Sequence, residues 1–99
     1  MVKISIFFRL FRKKGTKITL STLWQYGKEG MLQSDFLKKL RRKKNDLNAY
    51  FRVKKDLIKY KLIGFEINKE AKKVIFLTYK GKKIYNNIQE IESELKNQR

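Results

Sequence analysis

Long hydrogen-bond donors, spaced along one predicted helix, are the residues of this chain best suited to chemistry. A helix over residues 45–61 would carry four of them at steps of four, three and four: Asn48, Arg52, Lys55 and Lys59. That spacing puts them on one side of an α-helix. The opposite side carries apolar residues: Ala49, Tyr50, Val53 and Leu57. Such donors suit anionic or acceptor-rich partners, and a guanidinium forks onto guanine O6 and N7.

Cysteine, histidine and proline are all absent from the sequence. Zinc sites built from Cys and His, thiol nucleophiles, disulfides and histidine-dependent triads are therefore excluded. A metal site would have to be assembled from nine scattered carboxylates and from backbone carbonyls. We therefore expect no enzymatic activity and no cofactor.

The charge of the chain points to a polyanionic partner. Its 99 residues hold 26 Lys and Arg against 9 Asp and Glu, a formal net charge of +17. Hydrophobic residues make up 41%, which is enough for one compact domain and unlike a disordered basic tail. Nucleic acid is the first candidate partner and an anionic membrane surface the second. Residues 1–83 hold 24 of the cations, whereas residues 84–99 are almost neutral.

The first part of the chain predicts two helices. Residues 1–14 have helical spacing of Ile4, Phe7, Phe8 and Phe11, although alternation there leaves a short strand open. The run Lys13 to Gly15 is expected to end this helix, and residues 19–28 form the next. We expect neither a transmembrane helix nor a signal peptide, because no apolar run is long enough.

The remainder predicts two further helices, a hairpin and a long final helix. A short extended piece at residues 31–32 precedes a third helix, with Ser34 as its N-cap and Asp35 in its first turn. The helix of residues 45–61 follows it. Alternation predicts strands over 63–67 and 74–79, joined by a turn at 68–73. A C-terminal helix then covers residues 80–97. The predicted fold class is α+β, mostly α, in a single domain over 1–99 with its core at 19–79.

Two short helices with a tight connection, followed by a basic hairpin, suit a helix-turn-helix with a wing. The matching pieces are TLWQYGKEGMLQSDFLKKL, AYFRVKKDLIKYKLI and VIFLTYKGKKIYNNI. The run from Thr22 to Ile91, which contains them, resembles a winged helix-turn-helix domain of the MarR/PadR type, as in small proteins of crenarchaeal viruses and their hosts. The third piece includes that family's recurrent Leu-Thr-x-x-Gly. Where the family usually has a glycine after the recognition helix, this sequence has Lys61. The helix could therefore end in a different way here.

The resemblance implies double-stranded DNA as the partner and transcription regulation, in the cytoplasm, as the role. The implied base-reading residues are Asn48, Arg52 and Lys55. The implied DNA-backbone contacts are Arg41, Arg42, Lys43, Lys44 and Lys59. The implied wing contacts are Lys69, Lys72 and Lys73. Tyr50 is left open between the core and a phosphate contact.

Two terminal apolar stripes predict a homodimer. They consist of Phe7, Phe8 and Phe11 and of Ile84, Ile88, Ile91 and Leu95. The second stripe could pack on its own domain only or pair with a partner copy, as family members do through terminal helices. Removing one such side chain from water is worth roughly 1.5–3 kcal/mol.

Other functions remain open on the sequence alone. One is a non-specific architectural DNA-binding or RNA-binding protein. Another is a membrane-surface protein anchored by the first helix, although we expect no membrane partner. Trp24 and Tyr26 could stack on bases, but their helical spacing beside Leu20 and Leu23 favours the core.

Overall fold

A computed structural model of the protein describes residues 5–97, which form five helices and a small antiparallel sheet. The elements are α1 (Ile6–Phe11), α2 (Lys14–Tyr26), β1 (Met31–Leu32), α3 (Gln33–Arg41), α4 (Asp46–Lys59), β2 (Ile63–Ile67), β3 (Lys73–Leu77) and α5 (Tyr79–Lys96). The predicted class, α+β and mostly α, is confirmed. Of these helices, none combines the length and the apolar character needed to cross a bilayer.

The sheet has three strands in the order β1-β3-β2. The predicted hairpin is present as β2 and β3, with Phe65 opposite Ile75, and β1 adds a third strand through Met31 opposite Ile75. The hairpin turn is closed by Asn68, whose Oδ1 accepts from the backbone N of Glu70 (3.0 Å) and of Lys72 (2.9 Å). The hairpin that the sequence predicted as two-stranded is therefore part of a three-stranded sheet, with β3 at its centre.

One apolar core joins the inner faces of α2, α3, α4 and the sheet. Phe36 of α3 and Tyr50 of α4 meet edge to face, with ring centroids 5.0 Å apart. The other buried core residues are Leu10, Leu20, Leu23, Leu40, Val53, Leu57, Leu62, Ile63, Ile75 and Leu77. Tyr50 is 1% exposed, which assigns it to the core and removes it as a phosphate contact.

The N-terminal boundaries differ from the prediction. The first helix ends at Phe11 rather than at residue 14, and α2 begins at Lys14 rather than at residue 19. The Thr16 hydroxyl donates to the Leu10 carbonyl at 2.8 Å, which fixes the turn between the two helices. Gly15 does not break a helix. A β-carbon there would stand 2.1 Å from the Ala49 oxygen, so the glycine lets α2 cross close to α4. Ile4, part of the predicted stripe, lies outside the described residues.

The third helix also begins earlier than predicted. Because β1 leads directly into α3, its first residue is Gln33, and Ser34 lies in the first turn instead of capping the helix, whereas Asp35 lies in the first turn as predicted. The Asp35 carboxylate still lies where the helix dipole favours negative charge.

Helix α4 ends in a Schellman motif, although the sequence alone did not decide how this helix ends. The backbone N of Leu62 donates to the Leu57 oxygen at 2.9 Å, and that of Lys61 to the Ile58 oxygen at 3.0 Å. Lys61 has φ +61°, the left-handed conformation that glycine usually supplies. The helix therefore ends at this motif, with a lysine in the position that glycine usually occupies.

The sheet passes into α5 through Thr78. Its Oγ1 accepts from the Gly81 backbone N at 2.9 Å, and the same hydroxyl donates to the Lys61 carbonyl at the end of α4. Tyr79, predicted as the last strand residue, is the first residue of α5 because Thr78 caps the helix.

Candidate nucleic-acid interface

The outward face of α4 carries the predicted row of long donors. Asn48, Arg52, Lys55 and Lys59 are all exposed, whereas Ala49, Tyr50, Val53 and Leu57 are buried on the other side. The amphipathic pattern predicted for this helix is therefore confirmed. Burial of the apolar side fixes the rotation of the helix, and this rotation directs the donors into solvent.

A cationic segment lies directly before this helix. Arg41 is the last residue of α3, and the connection to α4 consists of Arg42, Lys43, Lys44 and Asn45. All four cations are exposed. Asn45 adopts a left-handed conformation, with φ +72°, and so turns the chain into α4. The segment 41–44 therefore stands at the N-terminal end of the donor row.

The hairpin supplies a second cationic element beside α4. Lys69 and Lys72 are exposed in its turn. The sequence predicted Lys73 to be the last residue of the turn. It is instead the first residue of β3, where it lies opposite Ile67. Its Nζ lies 4.5 Å from the centroid of the Phe65 ring, and Lys54 of α4 lies 5.4 Å from the same ring. Phe65 thereby joins the hairpin to α4.

Ion pairing separates the cations of the protein into two groups. Within residues 5–97 the ion pairs are Lys13–Asp56 (3.7 Å), Lys14–Asp46 (3.3 Å), Lys17–Glu92 (3.5 Å) and Lys82–Glu29 (3.1 Å). None of these pairs contains a cation predicted to contact DNA. Over the described chain, the donor row, the segment 41–44 and the hairpin cations thus form no ion pair with an acidic side chain.

A further group of cations lies beside α4, and sequence reasoning missed it. Arg9 of α1 donates to the Tyr60 hydroxyl at the end of α4. Lys13 and Lys14 border a groove of about 580 Å³ whose other wall includes Asn48 and Arg52. Arg9 and Tyr60 are 51 positions apart, so no periodic signal connects them, and only the packing of α1 and α2 on α4 brings these groups together.

Two apolar side chains on the outward side of α4 were also missed. Phe51 is 51% exposed and Ile58 43% exposed, although Tyr50, Val53 and Leu57 of the same helix are buried. They are seven residues apart, which places them on one side of a helix. A helical projection of residues 46–59 places both side chains on the exposed side of the helix.

The predicted dimerisation residues, except Ile84, lie together in one groove between α1 and α5. A groove of about 450 Å³ is lined by Phe7, Phe8 and Phe11 of α1 and by Ile88, Ile91 and Leu95 of α5, together with Tyr85 and charged residues at its edge. Ile84 is not part of this groove. It packs against the domain's own core. Glu92 of α5 pairs with Lys17 beside the groove.

The aromatic residues of α2 have different surroundings. Trp24 is partly buried against the Tyr85 ring, with centroids 5.2 Å apart, as its predicted core position implies. Tyr26 is instead 54% exposed, and Lys39 Nζ lies 3.8 Å from its ring centroid. The core prediction is therefore wrong for Tyr26, which is the last residue of α2 and lies at the surface beside Lys39.

No protein family, curated protein or solved structure matches this chain. Among residues 5–97, no cluster of three or more acidic, cysteine or histidine side chains could hold a metal ion. The chemistry that the exposed face offers is hydrogen-bond donation and positive charge. Lysine and arginine side chains donate but do not accept, which suits phosphate oxygens and the acceptor-rich edge of guanine.

Proposed function

We propose that the protein is a winged helix-turn-helix protein that binds double-stranded DNA in a sequence-specific manner and regulates transcription, without enzymatic activity. One observation carries this proposal: the outward donors of α4 have no acidic partner among the described residues and are flanked by cations on both sides. The element order from α2 to β3 is the one expected of a helix-turn-helix followed by a wing.

The dimensions of α4 suit the major groove of DNA. The helix has 14 residues, so its length is about 21 Å at 1.5 Å per residue. A groove about 12 Å wide admits one helix with its side chains. In this arrangement α4 is the recognition helix, α3 braces it, and the hairpin approaches the neighbouring backbone as the wing.

The roles follow from side-chain chemistry. Arg52 is the strongest candidate for a base contact, because its planar guanidinium can donate two hydrogen bonds to guanine. Asn48 and Lys55 lie on the same face and would approach neighbouring bases. Phosphate contacts, which give affinity without sequence information, fall to Arg41, Arg42, Lys43, Lys44, Lys59, Lys69 and Lys72. Lys73 would contact the backbone beside α4.

We also propose that the protein acts as a homodimer through the groove between α1 and α5. Phe8 is 67% exposed, Ile91 52% and Leu95 77%, and such a cluster is costly to leave in water. A second copy of the same groove would cover these side chains. A two-fold dimer would present two α4 helices to half-sites about 34 Å apart, one turn of DNA.

Selection from a pool of random duplexes tests the proposed function. The full chain is expected to enrich a pseudo-palindromic sequence with half-sites about 10 base pairs apart. The Arg52→Ala variant should lose this enrichment, whereas Lys96→Ala, which removes a cation at the far end of α5, should keep it. Equal binding to random duplex, selected duplex and RNA would contradict sequence-specific recognition and favour an architectural or RNA-binding role.

A further inference from the structure

Phe51 and Ile58 form an exposed apolar strip on the face of α4 that carries the donors. Half of the Phe51 side chain and more than two fifths of the Ile58 side chain lie in water. The Phe51 ring packs against that of buried Tyr50, with centroids 5.4 Å apart, so one side of it is held by the core. Contact with Tyr50 therefore holds the Phe51 ring in place at the surface.

Lysines border the strip on both sides. Residues three and four apart are neighbours on a helix surface, so Lys54 and Lys55 each adjoin both Phe51 and Ile58. Lys54 lies over the Phe65 ring of the hairpin, which places the strip between the hairpin and the centre of the donor row. A molecule that contacts this strip must therefore offer an apolar group and, beside it, negative charge that neutralises the two lysines.

A protein surface fits this arrangement poorly. Burying Phe51 and Ile58 against apolar side chains would also desolvate the neighbouring cations, and an ion without a partner is costly to bury. A second copy of the chain would add a further set of cations at the same place, since the net charge is +17. An apolar group set within a polyanion satisfies both requirements.

We propose that Phe51 and Ile58 contact the C5-methyl groups of thymines in the major groove. This inference rests on the proposed function and specifies the bases that it reads. The methyl group of thymine is the apolar group among the major-groove edges, and phenylalanine is among the side chains that suit it. Arg52 and Lys55 would contact neighbouring bases and phosphates at the same time.

The spacing of the two side chains sets the spacing of the thymines. Seven residues advance about 10.5 Å along a helix axis. Base pairs rise about 3.4 Å each, and their path along the curved groove is somewhat longer. The two contacted thymines are therefore two to three base pairs apart within one half-site.

Replacing thymine by deoxyuridine tests this inference, because it removes the methyl group and leaves every hydrogen-bonding group in place. Each thymine of the selected duplex is replaced in turn, and affinity is measured by fluorescence anisotropy with the full chain. Wild-type protein is expected to lose about fourfold in affinity at each of two positions, the value of one buried methyl-sized group. Losses at positions two to three base pairs apart support the assignment.

Variants assign each methyl group to its side chain. Phe51→Ala should bind thymine and deoxyuridine duplexes equally at one position, and Ile58→Ala should do so at the other. Tyr79→Ala is the control, because Tyr79 is an 82% exposed aromatic residue outside the strip. It should keep both preferences. Circular dichroism verifies that each variant is folded.

The outcomes separate this inference from the proposed function. If the protein selects a sequence but binds thymine and deoxyuridine equally, methyl recognition is wrong and sequence-specific binding stands. If the preference persists in both Phe51→Ala and Ile58→Ala, methyl recognition belongs to other residues and the inference is overturned. If no sequence is preferred at all, both proposals fail.

Discussion

The carbonyl oxygen of Leu62 lies 2.1 Å from the point where a β-carbon on Gly81 would stand. Contact this close joins the first turn of α5 to the segment that follows α4. Thr78 strengthens the same junction, because its backbone N donates to the Leu62 oxygen at 3.1 Å. The Leu-Thr-x-x-Gly run thus has a structural explanation: threonine caps α5 and glycine allows it to pack against Leu62.

Gly81→Ala is therefore expected to destabilise the protein. Alanine normally stabilises a helix relative to glycine by about 1 kcal/mol, but overpacking against backbone costs roughly 1–3 kcal/mol or more. Urea denaturation should show a lower free energy of unfolding. Asn86→Ala, at an exposed position of the same helix, is the control and should be neutral or slightly stabilising. Equal or higher stability of Gly81→Ala would show that the junction is looser than described.

Lys61→Gly is expected to stabilise the protein. Lys61 occupies the left-handed position of the Schellman motif, which costs a non-glycine residue about 1 kcal/mol. Relief of this strain should raise the melting temperature by roughly 4–8 °C for a domain of this size. Lys55→Gly, within the same helix, should instead lower stability by about 1 kcal/mol. Thermal unfolding that moves both variants in the same direction would contradict the assigned helix end.

Tyr50→Phe is expected to stabilise the protein, and increasingly so above pH 10. Burial raises the pKa of Tyr50 to about 12, and its hydroxyl has no hydrogen-bond partner within residues 5–97. A buried hydroxyl without a partner costs about 1–3 kcal/mol, which the variant recovers at neutral pH. Between pH 10 and 12 the unfolded tyrosine ionises while the folded one stays protonated. The wild type therefore loses up to about 2–3 kcal/mol of stability in this range.

Urea denaturation of both proteins at pH 8 and pH 11.5 measures this effect. The difference between the two proteins removes the contribution of lysines and the other tyrosines, which both share. Tyr79→Phe is the control at pH 8, where removal of an exposed hydroxyl should change stability by less than about 0.5 kcal/mol. A constant difference between Tyr50→Phe and the wild type over this pH range would contradict the burial of an un-ionised Tyr50.

Arg52→Ala and Lys72→Ala are expected to separate base reading from phosphate binding. Arg52→Ala should cost about 1–3 kcal/mol on the selected duplex and much less on random DNA. Lys72→Ala should weaken binding to all duplexes alike and reduce the slope of affinity against salt by about 1. Titrations at several salt concentrations measure both quantities. Equal losses on selected and random duplexes for Arg52→Ala would remove its base-reading role.

Ile91→Glu is expected to prevent dimerisation without unfolding the protein. Ile91 lies in the groove between α1 and α5, where a buried carboxylate would have to lose its water. Light scattering should show a dimer for the wild type and a monomer for the variant. Asn86→Glu, an acid on the same helix outside the groove, should remain dimeric. A monomeric wild type at tens of micromolar would contradict the proposed dimer.

Much of the fold was predictable because its signals are local. The row from Asn48 to Lys59 indicated both a helix and its exposed side, since a period of 3.6 residues is set by the backbone alone. Alternation at Ile63, Phe65 and Ile67 located the hairpin for the same reason. Helix ends were less predictable. Asn68 and Thr78 each form side-chain hydrogen bonds that set where a strand or helix begins. Gly15 looks like a helix breaker in the sequence, and only its close contact with Ala49 of α4 explains why it lies within a helix.

The candidate site was predictable only in part. Cations on α4 follow from the sequence, but which of them are neutralised depends on acids from elsewhere in the chain. Lys14 pairs with Asp46, 32 positions away, whereas Arg52 has no acidic partner among the described residues. The two open grooves likewise form only when α1 lies beside α5 and α2 packs on α4.

The sequence by itself determined a basic, mostly helical domain, with a cationic stripe on one helix and two apolar stripes at its ends. These properties arise from charge and from the period of the backbone, both of which are written in neighbouring residues. Only the tertiary structure decided which cations remain unpaired and why Gly15 and Gly81 are required. Those features depend on contacts between residues far apart in the chain, which periodicity does not encode.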